Sequence, residues 1–245
     1  MKGHICNSVT NSGNEPCPKK VPIFSSLSNE EIIKVSKKTK HIPFQKGEML
    51  IGEGEKTDAL YIIHKGKVKL SKYTVDGKEQ ILYIMTAGEF FGELNLFNDD
   101  EVSNFSAFAI ESTIICQLTK RDIDQIMHEN PDISIKLLRA LSKRLAHTEN
   151  LAQNLATKDP EVRIIHMILE FCQKFGTTIN NGILVHLPIN REEIASYVGV
   201  TRETISRKFS KLEDLGLITL SGNKQIIVQN QIALKNYLGT AYNGK

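Results

Sequence analysis

Between residues 41 and 120 no apolar run travels far before a glycine cuts it, and this punctuation limits the fold more than any other feature. The β-rich runs Ala59–Ile63, Lys67–Leu70, Gln80–Met85 and Thr113–Leu118 are separated by glycines at 47, 52, 54, 66, 77, 88 and 92. Runs of that length suit strands, and strands so closely spaced can bury their apolar faces only by closing on one another. The pattern predicts a small antiparallel barrel or sandwich. Asp76-Gly77, between two of the runs, is the residue pair that a tight hairpin turn favours. Ahead of this region Ser28 and Glu31 form the two ends of a capping box, followed by Ile32, Ile33 and Val35, which predicts a short amphipathic helix.

Past Asn130 the period changes to helical, opened by Pro131. Leu138, Leu141, Leu145, Thr148, Ala152 and Leu155 follow one another in alternating steps of three and four, the spacing of a coiled-coil seam. Such a stripe packs either on a second copy of the chain or on the chain's own barrel. The length of the helix, and Lys136, Arg139, Lys143, Arg144 and Glu149 on its other faces, favour a dimer seam. Asp159-Pro160 then breaks the helix and marks the hinge into a further domain, which begins with a helix over 161–175 ended by Gly176.

The segment 187–218 is the most informative for function. Asn190 and Glu193 can cap a helix whose inner face is Ile194, Ala195 and Val198, and Gly199 stops it after about two turns. So short a helix does not stand alone. The next starts at once behind Thr201, which is helix-turn-helix spacing. On the second helix Ile205, Phe209 and Leu212 share one side, while Glu203, Ser206, Arg207 and Ser210 share the other and Arg202 lies near the edge of the first turn. A DNA-reading helix needs this division, because one face is anchored while the other enters a major groove. Lys208 and Lys211 on the same helix are candidate phosphate contacts. Gly216 closes the helix, and the runs 217–220 and 225–228 read as two strands of a wing.

Composition sets bounds around this reading. The chain has 245 residues, enough for two domains, with a 40% hydrophobic fraction that can form a core in each. A net charge of +3 means that any nucleic-acid contact must come from a local patch. No apolar run reaches the length of a membrane span and residues 1–20 lack the core of a secretory signal, so a cytoplasmic protein with no membrane partner is expected. The four cysteines, Cys6, Cys17, Cys116 and Cys172, are too few and too scattered for a disulfide scaffold. They stand as buried fillers, metal ligands or redox switches, and Cys172, between Phe171 and Phe175, reads as core packing.

Four elements resemble the cyclic-AMP-receptor/FNR superfamily of transcription regulators: Ile42–Gly47, Gly66–Val68, Gly88–Leu94 and Thr201–Arg207. The resemblance covers residues 21 to 228 and implies an α+β chain. It consists of an N-terminal antiparallel β-roll of jelly-roll, cyclic-nucleotide-binding-like form, a long dimerisation helix and a C-terminal winged helix-turn-helix. The corresponding domains are a cysteine-containing arm over 1–20, the roll over 21–130, the helix over 131–158 and the DNA-binding domain over 159–245. A homodimer on palindromic double-stranded operator DNA, in contact with RNA polymerase, is implied as well. The pattern Glu203-x-x-Ser206-Arg207 is similar to FNR recognition helices, which read half-sites containing TGA.

In cyclic-AMP-binding members a Gly-Glu-Leu segment, matched here by Gly92-Glu93-Leu94, precedes an arginine that holds the cyclic phosphate. The stretch 101–107 contains no arginine, so cyclic AMP is not expected, and Glu93 is read as a strand-end structural residue. Cys6 and Cys17 in the arm and Cys116 late in the roll resemble the layout of the FNR-like proteins of Gram-positive bacteria, called FLP, which implies a dithiol/disulfide switch. Inert thiols are the alternative. An iron–sulfur cluster on these three thiolates would require a further ligand such as His4, and zinc is the other metal to consider. A regulator responding to a cyclic nucleotide or another small ligand is the second functional reading. A cupin-type metalloenzyme is a distant third, since the barrel region holds only His41 and His64 and no paired metal motif.

Overall fold

The computed structural model describes all residues except 1–3, 6–16, 98–101, 157–158 and 244–245, with only the backbone described at 4, 5, 17, 20, 95, 154, 155 and 239–243. The chain divides into two compact units, one of Met1–Tyr73 with Ile81–Ala146 and the other of Thr74–Gln80 with His147–Lys245.

In the first unit β1 (His4–Ile5) is followed by α1 (Asn29–Lys38), β2 (Lys40–Phe44), β3 (Met49–Ile51), β4 (Ala59–Lys65), β5 (Lys67–Tyr73), β6 (Glu79–Thr86) and β7 (Phe90–Phe91). Then come α2 (Leu94–Phe97), β8 (Ser106–Ala109), β9 (Thr113–Thr119), α3 (Lys120–Glu129) and α4 (Pro131–Ala156); the first two residues of β6 and the residues of α4 from His147 on belong to the second unit. The strands form two antiparallel sheets, ordered β1-β2-β9-β4-β7 and β3-β8-β5-β6. Alternation along the strands separates two cores. Ile63, Val68, Leu70, Phe91 and Ile115 cluster in one. Leu60, Ile62, Cys116 and Leu118 instead meet Ile32 and Val35 of α1, Ile123 and Ile126 of α3, and Ile133 and Leu137 of α4. Every apolar side chain so enclosed contributes roughly 1.5–3 kcal/mol relative to exposure. The capping box at Ser28 is present, with Glu31 accepting from the Ser28 N–H.

The wide seam stripe on α4 is divided. Leu141 packs partly against the first unit's own core. Leu138 and Leu145 are 63% and 60% exposed, and Ile135 beside them is 50% exposed. Thr148 and Ala152 are exposed too, and the Leu155 side chain lies outside the described residues.

The second unit holds α5 (Pro160–Phe175), β10 (Gly176–Ile179), β11 (Gly182–His186), α6 (Arg191–Val198), α7 (Arg202–Asp214), β12 (Ile218–Ser221), β13 (Gln225–Val228) and α8 (Gln231–Asn243). Its sheet runs β10-β11-β13-β12, antiparallel throughout. The wing expected from the sequence is therefore half of a larger sheet. The other half, β10–β11, escapes sequence reading because its outer strand, Gly176-Thr-Thr-Ile, is short and mostly exposed. Gly176 ends α5 with ordinary φ of −79°, not the left-handed turn that a terminal glycine usually supplies. Glycine is needed there for space: a Cβ would lie 2.2 Å from the Cys172 carbonyl oxygen. Among the described residues no helix is long and apolar enough to cross a membrane.

Candidate nucleic-acid interface

The turn between α6 and α7 is built by local chemistry. Asn190 accepts from the N–H groups of Glu192 and Glu193, and Glu193 completes the capping box. Gly199, at φ 71°, occupies the left-handed position where a side chain would be strained. Thr201 then caps α7 by accepting from the Thr204 N–H. Ile205, Phe209 and Leu212 are fully buried. Arg202, Glu203, Ser206, Arg207 and Ser210 are all exposed, so the two faces foreseen in the sequence are both present. Hydrogen bonds from its own backbone and from Thr201 hold the Glu203 carboxyl below the usual range, keeping it an acceptor at neutral pH.

Four contacts aim this helix, and sequence reading identified none of them. The Arg191 guanidinium lies 4.1 Å from the centre of the Phe209 ring, stacking the start of α6 on the anchor of α7. From α5, the Arg163 Nη1 donates to the Val198 and Gly199 carbonyls, both at 2.9 Å, and so fixes the turn itself. On the wing side, the Leu220 N–H donates to Glu213 at 2.7 Å.

The fourth is a buried carboxylate. Glu161, in the first turn of α5 and 3% exposed, accepts from Lys208 at 2.5 Å, from Lys211 at 2.9 Å and from the Tyr237 hydroxyl of α8 at 2.5 Å. Burial pushes its pKa up, but the donors outweigh burial and bring it down to about 2. Lys208 and Lys211, candidate phosphate contacts in the sequence, are thus held by an internal partner. Lys211 keeps half of its side chain in solvent, whereas Lys208 exposes about a fifth. Glu161 resembles any helix-capping acid in sequence, and nothing local announces its burial.

The first unit carries a comparable surprise. Gly92, at φ 90°, brings the chain so near β4 that a Cβ would meet the Ala59 carbonyl at 2.6 Å, and the next residue, Glu93, is 3% exposed. Glu93 is more than a strand-end residue: Arg144 of α4 donates to its Oε1, while the same guanidinium donates to the Phe90 carbonyl at 2.6 Å. Arg144 also lies over the Tyr83 and Phe90 rings, at 5.7 and 5.5 Å. Arg144, an ordinary surface charge by its place in the sequence, is thus the partner of a buried carboxylate.

The cysteines separate. Cys116 and Cys172 are 0% and 5% exposed, both packed in cores. Burial pushes the Cys172 thiol upward, which suits packing and not reactivity. Cys6 lies outside the described residues, and for Cys17 only the backbone, at the start of a short 3-10 turn, is described. β1 nevertheless brings the arm onto the roll, with His4 opposite His41 and His41 opposite Cys116. Among the described residues no three metal-ligating side chains converge.

Two family models match the chain: a cyclic nucleotide-binding domain over residues 41–130 and a Crp-like helix-turn-helix domain over 162–237. A "CRP-like cAMP-activated global transcriptional regulator" of Mycobacterium tuberculosis is 32% identical over 209 residues, covering 85% of this chain and 93% of that protein. The "cAMP-activated global transcriptional regulator CRP" of Pasteurella multocida is 35% identical over 179 residues, covering 73% of this chain and 85% of the relative. Among solved structures, FixK2 from Bradyrhizobium japonicum superposes with a TM-score of 0.72 at 26% identity, covering 81% of this chain and 96% of the other. A CooA mutant from Carboxydothermus hydrogenoformans, at 20% identity, shares the fold with a TM-score of 0.75, covering 93% and 97%.

Proposed function

Because this chain belongs to the CRP/FNR family of transcription regulators and binds DNA through its helix-turn-helix, we propose that it acts as a homodimer on a palindromic operator with TGA half-sites. Membership also removes the metalloenzyme reading, since the relatives and both matched domains are those of regulators.

The observation that carries the proposal is the exposed face of α7, with Arg202, Glu203, Ser206 and Arg207 opposite a fully buried apolar side. Arginine donates two hydrogen bonds to guanine O6 and N7, and an ionised glutamate accepts from cytosine N4. Arg207 and Glu203 accordingly read the two members of one G·C pair, the G of TGA. Arg202 adds a preference further upstream, Ser206 contributes a hydroxyl, and Lys211, with Lys208 in support, approaches phosphate. Selection from randomised DNA is expected to enrich facing TGA and TCA half-sites, and Arg207→Ala to lose about 1–3 kcal/mol of discrimination mainly at that G. An unchanged motif with Arg207→Ala would refute this assignment.

Dimerisation through Leu138, Leu141, Leu145, Thr148, Ala152 and Leu155 is supported by the two leucines left exposed on α4. Leu145→Glu tests it cleanly, because Leu145 touches little of its own chain, whereas Leu141 also packs on the roll. Burying that charge in a seam costs several kcal/mol, so sedimentation should show monomers of native fold with weakened operator binding. A variant that stays dimeric would exclude the seam.

The signal we propose is oxidation or metal content acting through Cys6, Cys17 and Cys116, not cyclic AMP. Support comes from β1, which places the segment just before Cys6 two strands from Cys116, and from Arg144, which engages Glu93. In the same binding assay, oxidation or metal should shift operator affinity and added cyclic AMP should not. The protein works in the cytoplasm and reaches RNA polymerase from its operator.

A further inference from the structure

The carboxylate of Glu161 has more cations around it than its charge requires. Lys208 donates to its Oε2 at 2.5 Å, Lys211 donates to both oxygens at 2.9 Å, and the Tyr237 hydroxyl donates to Oε1 at 2.5 Å. One lysine balances the single negative charge, so the second is in excess. The two are not equivalent. Lys208 exposes about a fifth of its side chain, whereas half of Lys211 is in solvent. Lys211 also follows Arg207 by four residues, about one helical turn, and so shares its exposed face.

If Lys211 left, Glu161 would still be satisfied. Oε2 keeps Lys208 as donor and counter-charge, and Oε1 keeps the Tyr237 hydroxyl, which α8 brings to the first turn of α5. Without that hydroxyl, Oε1 would depend on Lys211 alone, since a bare acceptor in a residue 3% exposed is costly. The Tyr237 ring lies beside the same ammonium, with Nζ 5.9 Å from its centre, so the hydroxyl can be removed while the ring contact stays.

We propose that Lys211 is an exchangeable cation, held on Glu161 in the free protein and passed to a DNA phosphate on binding, and that Tyr237 is the positioning residue that permits the transfer. The inference rests on the reading of α7 as the helix that meets DNA, with Lys211 near phosphate. It gives α8 a part in DNA binding that requires no contact between α8 and DNA.

The number of phosphates neutralised is read from the salt dependence of binding, because log K falls by about 0.9 per decade of salt for each phosphate contact. The test is binding of the full-length protein to a duplex of unrelated sequence over a range of salt concentrations. Lys211→Gln should reduce the slope by about 0.9 for each copy of α7 on the duplex. Tyr237→Phe should reduce it by more than half as much, and the double variant should lose no more than Lys211→Gln alone. Adding Glu161→Gln to Tyr237→Phe should return the slope to that of the parent, since no carboxylate then retains the lysine. Lower affinity of Tyr237→Phe at the parental slope, with Lys211→Gln reduced as expected, would leave the phosphate contact standing and overturn the transfer, reducing Tyr237 to a packing residue. A parental slope in Lys211→Gln itself would show that Lys211 reaches no phosphate, and both the contact and the transfer would fall.

Discussion

Arg144→Met is expected to lower the unfolding free energy of the first unit by about 3–5 kcal/mol, the usual consequence of stranding one member of a buried ion pair. Glu93 is 3% exposed and its Oε2 has no hydrogen-bond partner, so its charge depends on the guanidinium at Oε1. The substitution would also deprive the Phe90 carbonyl of a 2.6 Å donor and remove a cation from above two aromatic rings. Methionine keeps much of the side-chain volume, which separates the electrostatic loss from a cavity effect. Urea unfolding of parent, Arg144→Met, Glu93→Gln and the double variant forms a complete cycle. The double variant should recover a good part of the loss, because it no longer buries an unpaired charge. If Arg144→Met falls within about 0.5 kcal/mol of the parent, the pair is not the one that ties α4 to the roll.

The second large effect is expected at Glu161. Its folded pKa of about 2 lies below the ordinary 4.5, so its contribution is complete above pH 4.5 and disappears as the pH falls through about 2. Acid unfolding of the second unit should therefore steepen over that interval. Glu161→Gln should flatten it while costing about 2–3 kcal/mol at neutral pH, less than a fully buried pair because the freed Lys211 can rehydrate. Equally steep acid profiles for parent and variant would show that another carboxylate governs the transition. The same substitution bears on DNA reading: Lys208 and Lys211 lie on α7, so loss of Glu161 loosens the helix that presents Arg207. Specific operator binding should weaken more than binding to unrelated DNA.

Much of the architecture is written in residues close together along the chain. The Ser28–Glu31 and Asn190–Glu193 boxes join positions three apart, and both close as their side-chain chemistry requires. Glycines 77, 199 and 216 all take positive φ at turns where the sequence analysis expects chain reversals or helix ends. The buried row Ile205, Phe209 and Leu212 follows from helical period alone. Short-range signals of this kind survive because each is stabilised by its own neighbours. They sufficed to identify the winged helix-turn-helix, its exposed polar face and the glycine-punctuated roll.

The sequence by itself could not assign partners across long separations. Arg144 and Glu93 are 51 residues apart, Glu161 and Lys208 47 apart, and Arg163 and Gly199 36 apart. In each pair one member looks like an ordinary surface charge, and only packing removes the water that would otherwise satisfy it. The same is true of the α4 stripe, where period places Leu138, Leu141 and Leu145 on one seam but the roll takes part of Leu141 for its own core. Periodicity determines which side chains share a face. Tertiary packing decides what that face meets, because desolvation depends on the surrounding chain and not on the residue's neighbours in sequence.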